Sequence, residues 1–183
     1  GKGVIALKAA QIIDGTGKEA IRNGEIIVTD DKITAIGANL QIPAGAKVID
    51  LGNTTLLPGF IDAHTHLIMR VLGDPEGGNA RFRDYNSFGA ILGVGHAEKT
   101  LMAGFTTVRN VGAPNFDDLA LRKAINDGWI IGPRMLTAGH SLGITGGHCD
   151  ENGYKPGVAD GDFKTGIADG VDQVRAAVRY QIT

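Results

Sequence analysis

Two hydrophobic patterns divide the chain near Pro58. Before it, apolar residues come in short runs closed by turn formers. Val4 to Ile13 is one such run, ended by the Gly-Thr-Gly at residues 15–17. In GEIIVTDDKITAIGA, Ile26 to Val28 lead into Asp30 and Asp31, and Lys32 to Ile36 return with β-branched residues, the pattern of a β-hairpin. AKVIDLGNTTLL adds one or two short strands. Residues 1–57 are therefore expected to form a small all-β unit.

From Pro58 the period changes. GFIDAHTHL reads as a strand, followed by a polar, Gly-rich loop from Gly73 to Asn86. Phe88, Ile91, Leu92 and Leu101 give helical spacing over Phe88 to Met102. GFTTVRNVG is a second strand. Phe116 to Asp127 is a helix with acids at its start and Gly128 after its end. RMLTAGHSLGI is a third strand, and after a long Gly-rich loop Val171, Val174, Val178 and Ile182 share one stripe of a last helix. The order β-α-β-α-β-α predicts α/β architecture with a parallel sheet and right-handed crossovers. The strands are apolar at successive positions, as strands covered on both faces should be. A doubly wound sheet and a (β/α)8 barrel both satisfy the pattern. A complete barrel takes about 250 residues, so residues 58–183 are about half of one.

Composition narrows the function classes. The chain is 43% hydrophobic and 21% charged, enough to bury a core. Its formal net charge of -2 and 5% aromatic content argue against a nucleic-acid partner. No apolar run approaches the ~20 residues of a membrane helix, and the start lacks the apolar core of a signal peptide. A soluble protein of cytoplasm or periplasm is expected, with the compartment undetermined. The chain begins at Gly1 without Met, as a processed or engineered start would. Its single cysteine, Cys149, excludes a disulfide within the chain.

The chemistry-bearing stretch is LPGFIDAHTHL, residues 57–67. Residues i and i+2 of a strand point to one face, so His64 and His66 aim together while Thr65 points away. Both lie at the C-terminal end of the strand, where α/β folds keep their ligand sites. Two imidazoles on one side make half of a metal site. A surface pair with no ligand is the alternative. Strict alternation adds Asp62 to the same face, as a partner of a ligand or as a turn cap.

PGFIDAHTHL resembles the first barrel strand of the amidohydrolase superfamily. IIDGTG with the DDKITAIG hairpin is similar to that family's N-terminal β-sandwich part, AGFTTVRNVG to its second barrel strand, and GPRMLTAGHSLGITGGH to its third. The similarity spans essentially the whole chain. It points to the imidazolonepropionase-related branch, with metal-dependent Xaa-Pro dipeptidases, carboxypeptidase-like members and ochratoxin-hydrolysing relatives. The resemblance implies part of a β-sandwich over residues 1–57. Over residues 58–183 it implies the first three βα units of an incomplete TIM barrel. It makes His64 and His66 ligands of a divalent metal, expected as Zn2+, with one or two ions in the complete site. The family's remaining ligands, a carboxylated lysine on the fourth barrel strand, histidines on the fifth and sixth, and an aspartate on the eighth that is also the general base, fall beyond residue 183. Residue 183 itself is expected in the helix before the fourth strand. The catalytic base is thus unassigned.

Three further residues are candidates for substrate binding. His140, in TAGHSLG, either meets a substrate carboxylate or carbonyl or braces a neighbouring loop. His148, after GITGG, either overhangs the site or is a solvated loop histidine. Arg109, at the end of the second strand, either pairs a carboxylate in bidentate fashion or holds a loop. His96 is read as a helix-surface or packing residue, and Cys149 as an inert small residue. GTGK at residues 15–18 fails the phosphate-loop spacing.

The expected activity, that of the full-length protein, is hydrolysis of an amide bond in a dipeptide-like or N-acyl amino acid substrate by metal-activated water. Its expected partners are the C-terminal half of the same protein and other copies in a homo-oligomer. The competing readings are a non-catalytic fragment that needs the missing half, and a cyclic-amide hydrolase of the imidazolone type.

Overall fold

The structure is a computed structural model and describes residues 3–71 and 73–182. Contacts divide the chain into two units, Gly1–Pro58 and Gly59–Thr183. Among the described residues, no helix is long and apolar enough to cross a membrane.

The first unit contains β1 (Val4–Ile12), β2 (Ile21–Thr29), β3 (Lys32–Ala38), β4 (Lys47–Asp50) and β5 (Thr55–Leu56). They form one mixed sheet in the order β3-β2-β1-β4, with β5 also on β1. β2 and β3 pair antiparallel as the hairpin read from the sequence, β1 pairs antiparallel with β2, and β4 and β5 join β1 in parallel. The second layer that a sandwich requires is not formed among the described residues of this unit. Ile12 is 2% exposed and lies over Gly24, where an added Cβ would come 2.5 Å from its Cδ1 atom.

In the second unit β6 (Phe60–Thr65), β7 (Phe105–Asn110) and β8 (Arg134–Thr137) form a parallel sheet in that order. The crossovers are helical: α2 (Phe88–Met102) joins β6 to β7, and α3 (Asp117–Asn126) joins β7 to β8. α4 (Gly170–Gln181) follows the loop after β8. The segment read as a plain loop between Gly73 and Asn86 holds a 3₁₀ turn at Gly77–Asn79 and the short α1 (Ala80–Arg83). Arg70 organises it. Its Nε and Nη2 donate to the Asp84 carboxylate at 2.9 and 3.0 Å, its Nη1 to Asp74 at 2.9 Å, and its guanidinium lies over the Phe88 ring.

The core of this unit lies between the sheet and its helices. Val108 and Met135, partners on β7 and β8, are buried there with Ala97 of α2 and Leu121 of α3. The opposite face of the sheet is uncovered: Ile61 is 72% and Leu136 57% exposed. The expectation of strands buried on both faces therefore holds on one face only. The apolar stripe of α4 is also exposed at Val171, Val174, Val178 and Ile182, and only Ala177 is buried. The third strand is four residues long and stops at Thr137, before the AGHSLGI part of the predicted RMLTAGHSLGI, because Gly139 takes a left-handed conformation and turns the chain. Thr183, expected in the helix before a fourth barrel strand, lies outside the described residues.

Two tests follow from this packing. Gly24→Ala, which presses on buried Ile12, is expected to lower the stability of the first unit by about 1–3 kcal/mol in urea unfolding. An unchanged midpoint would contradict the packing. At the start of α3, burial pushes the Asp117 carboxyl up, and the adjacent Asp118 adds to it. The folded state thus prefers the proton, so this group's contribution is greatest below the ordinary carboxylate range and is lost as pH rises through the raised value. Asp117→Asn should therefore melt higher than the natural protein at pH 7, with the gap closing towards acid pH. A gap independent of pH would contradict it.

Candidate metal centre

The site is built where β6 runs off its ladder. β6 and β7 pair Asp62 with Val108 and then Thr65 with Asn110, so β6 carries one residue more than its partner between those points. An extra residue reverses the parity of side-chain facing. Asp62 is level with buried Val108, on the helix side, and Thr65 is level with buried Asn110. His64 and His66, flanking Thr65, lie on the opposite, uncovered face. This corrects the alternation that grouped Asp62 with them. Asp62 acts as the turn cap: its Oδ1 accepts the His64 backbone N–H at 3.0 Å.

His64 and His66 are both exposed, and their ring centroids stand 5.4 Å apart with an interplanar angle of 73°. The two rings meet edge to face instead of turning apart. The segment beneath them is held at each step. The Thr65 hydroxyl donates to the Arg109 carbonyl at 3.0 Å, and the Thr65 carbonyl accepts from Val111 N–H at 3.0 Å. Two imidazole nitrogens from one strand fit half of a zinc site, which takes three or four protein ligands. Among the described residues no group of three or more His, Cys, Asp or Glu side chains gathers to complete one.

Arg109 shares the face of the two histidines. Its neighbours Val108 and Asn110 are buried towards the helices, so Arg109 points the other way, and it is exposed. It pairs with Leu136, one step before the end of the β7–β8 ladder. His140 falls three residues past the end of β8 and is half-buried. Its Nε2 accepts the Asn115 N–H at 3.1 Å, and its ring packs edge-on to Phe116 at 4.6 Å. Its backbone N–H donates to Gln181 of α4 at 2.8 Å. Those contacts give His140 the loop-bracing geometry. His148 is exposed in the loop after β8, and Cys149 beside it is free and half-buried against Gly143. That loop is pinned by Asp169, which accepts from the Thr145 N–H and hydroxyl at 3.0 and 2.6 Å; those bonds hold its carboxyl below the ordinary range.

Asn110, which the sequence reading passed over, and His96, which it read as a helix-surface or packing residue, belong to the site's frame. Asn110 is fully buried and accepts the Leu67 N–H at 2.8 Å. His96 of α2 lies with its Nδ1 2.7 Å from the Leu67 carbonyl. The signal for Asn110 was present, since asparagine is disfavoured in the interior of a strand and closes TTVRN here. His96 carries no comparable signal. A cavity of about 480 Å³ opens beside this frame, lined by His66, Met69, Arg70, Val71, His96 and Lys99 among others.

The ochratoxinase of Aspergillus niger is 31% identical over 205 aligned positions, which cover 98% of this chain and 40% of that protein. The imidazolonepropionase of Ralstonia nicotianae is 45% identical over 58 residues, 30% of this chain and 14% of that one. A crystal structure of a Xaa-Pro dipeptidase with bound methionine in the active site superposes with a TM-score of 0.86 at 31% identity, over 98% of this chain and 44% of that one. The chain thus spans about two-fifths of the length of the ochratoxinase and the dipeptidase. The profile of the amidohydrolase family matches residues 55–183. The α/β unit that carries the histidine pair is the matched region, and the chain belongs to the amidohydrolase family.

Proposed function

We propose that this chain is part of a metal-dependent amidohydrolase that cleaves the amide bond of a dipeptide-like or N-acyl amino acid substrate. In this reading residues 58–183 are the first three βα units of a (β/α)8 barrel, and residues 1–57 are part of an accompanying β-sandwich. The observation that carries the proposal is the same-side pair of His64 and His66 rings at the C-terminal end of β6, with Arg109 on the same face. The uncovered sheet face and the bare stripe of α4 support the need for further strands, which supply the remaining ligands and the general base.

His64 and His66 would hold the metal through neutral ring nitrogens. A bound divalent ion, zinc by this donor type, supplies Lewis-acid polarisation and lowers the pKa of water toward ~7. Asp62, bonded to the His64 backbone, fixes the position from which that ring reaches out. Arg109 presents a planar cation suited to a substrate carboxylate. Among the relatives, a Xaa-Pro dipeptidase whose structure has methionine bound in the active site favours a substrate of that kind. The imidazolonepropionase match over 58 residues favours cyclic-amide hydrolysis as the second reading. His140 and His148, on the loop after β8, are the remaining candidates for contacts to the substrate, His148 being the one whose exposed ring is free to approach it from the loop.

In the full-length protein, His64→Ala is expected to abolish hydrolysis of Xaa-Pro dipeptides and to lower metal content together, measured by elemental analysis. Full activity in that variant would remove the metal role. Arg109→Ala is expected to raise KM on the order of tenfold for dipeptides with a free C-terminal carboxylate, the loss of one charge-assisted contact. Its effect on C-terminally amidated analogues should be small. An equal loss on both substrates would contradict the carboxylate role.

A further inference from the structure

Leu67, the residue that follows His66, is gripped on both of its backbone polar groups. Leu67 lies past the end of β6 and is buried, so its N–H and C=O need partners that the ladder no longer offers. The N–H donates to Asn110 Oδ1 at 2.8 Å, and Asn110 Nδ2 donates in turn to the Gly112 carbonyl at 3.1 Å. The C=O accepts from His96 Nδ1 at 2.7 Å. A carbonyl only accepts, so that contact places the proton of His96 on Nδ1. Gly112 leaves the space beside the ring: a Cβ there would sit 3.8 Å from His66 Cε1 and press on the Ser141 hydroxyl. One strand residue, itself braced by the Gly112 carbonyl, and one helix residue therefore converge on a single residue next to a candidate ligand.

We infer that Asn110 and His96 are positioning residues for His66, clamping the Leu67 backbone on both sides of its Cα so that the exposed imidazole leaves the chain in one direction towards His64. The inference rests on the reading of His66 as a metal ligand. A two-point clamp explains why a fully buried asparagine stands at a strand end, where a β-branched residue would pack without needing polar partners. It also explains why an exposed ring pair stays together: the ring roots are fixed by the backbone while the rings remain open to solvent. Groups that orient metal ligands without touching the ion commonly change affinity by about 10–100-fold when removed.

The test uses the full-length protein. In the natural sequence, ring-proton nuclear Overhauser contacts between His64 and His66 and slow exchange of the Leu67 amide are expected. Asn110→Ala should lose the ring contact, speed that exchange and weaken Zn2+ binding about tenfold in a titration with the metal alone. In a His66→Ala background the same change should cost no further Zn2+ affinity, which a general loss of structure would not reproduce. Should Asn110→Ala fail to fold, His96 decides: His96→Ala should act in the same direction, and His96→Asn, whose amide can donate from a similar place, should restore binding. Unchanged ring contact and exchange in the folded variant, or an equal Zn2+ loss with and without His66, would overturn the inference. Zn2+ binding that ignores both histidines would instead sink the metal reading, and the ring contact would then decide the clamp alone.

Discussion

The second unit depends on how β6 ends. A parallel strand that carries ligands must stop pairing while keeping its last side chains aimed, and its freed peptide groups must still find partners. Here one extra residue in β6 resets the facing between Asp62 and Thr65, putting both histidines on the open side. Asp62, Thr65 and Leu67 then each tie the backbone down through a hydrogen bond of their own. An aimed imidazole pair is the product of that anchoring, because exposed rings have no packing of their own to hold them.

The rest of the unit serves the same edge. Val108, Met135, Ala97 and Leu121 pack the helices onto one face of the sheet and so fix β7 as the strand against which β6 is read. The Arg70 cluster folds the long connection to α2 back on itself, and α2 in turn delivers His96 to Leu67. Consecutive left-handed residues Asn115 and Phe116 turn the chain into α3 and bring the Asn115 N–H to His140. The loops after all three strands are therefore pinned by side chains at the end where the histidines stand. The opposite face is open, with Ile61 and Leu136 bare.

Periodicity carried the element order. β6, α2, β7, α3, β8 and α4 follow the pattern of apolar positions, because helix and strand periods differ enough to be read locally. The pair His64 and His66 was legible from its i, i+2 spacing at a strand end. The facing of Asp62 was not, since a single inserted residue inverts alternation and leaves no mark in the sequence. The length of the third strand was overread: apolar residues continue through Leu142 and Ile144, but Gly139 breaks the ladder first. α1 was missed because it is four residues long and rests on the tertiary ion pairs of Arg70. The roles of Asn110 and His96 depend on contacts 43 and 29 residues away, which no local pattern encodes.

The most direct measurement is anomalous diffraction at the zinc edge from crystals of the full-length protein grown with zinc. The account predicts a peak within about 2.0–2.1 Å of one ring nitrogen from each of His64 and His66. A zinc bound elsewhere, with those two rings free of it, would contradict it.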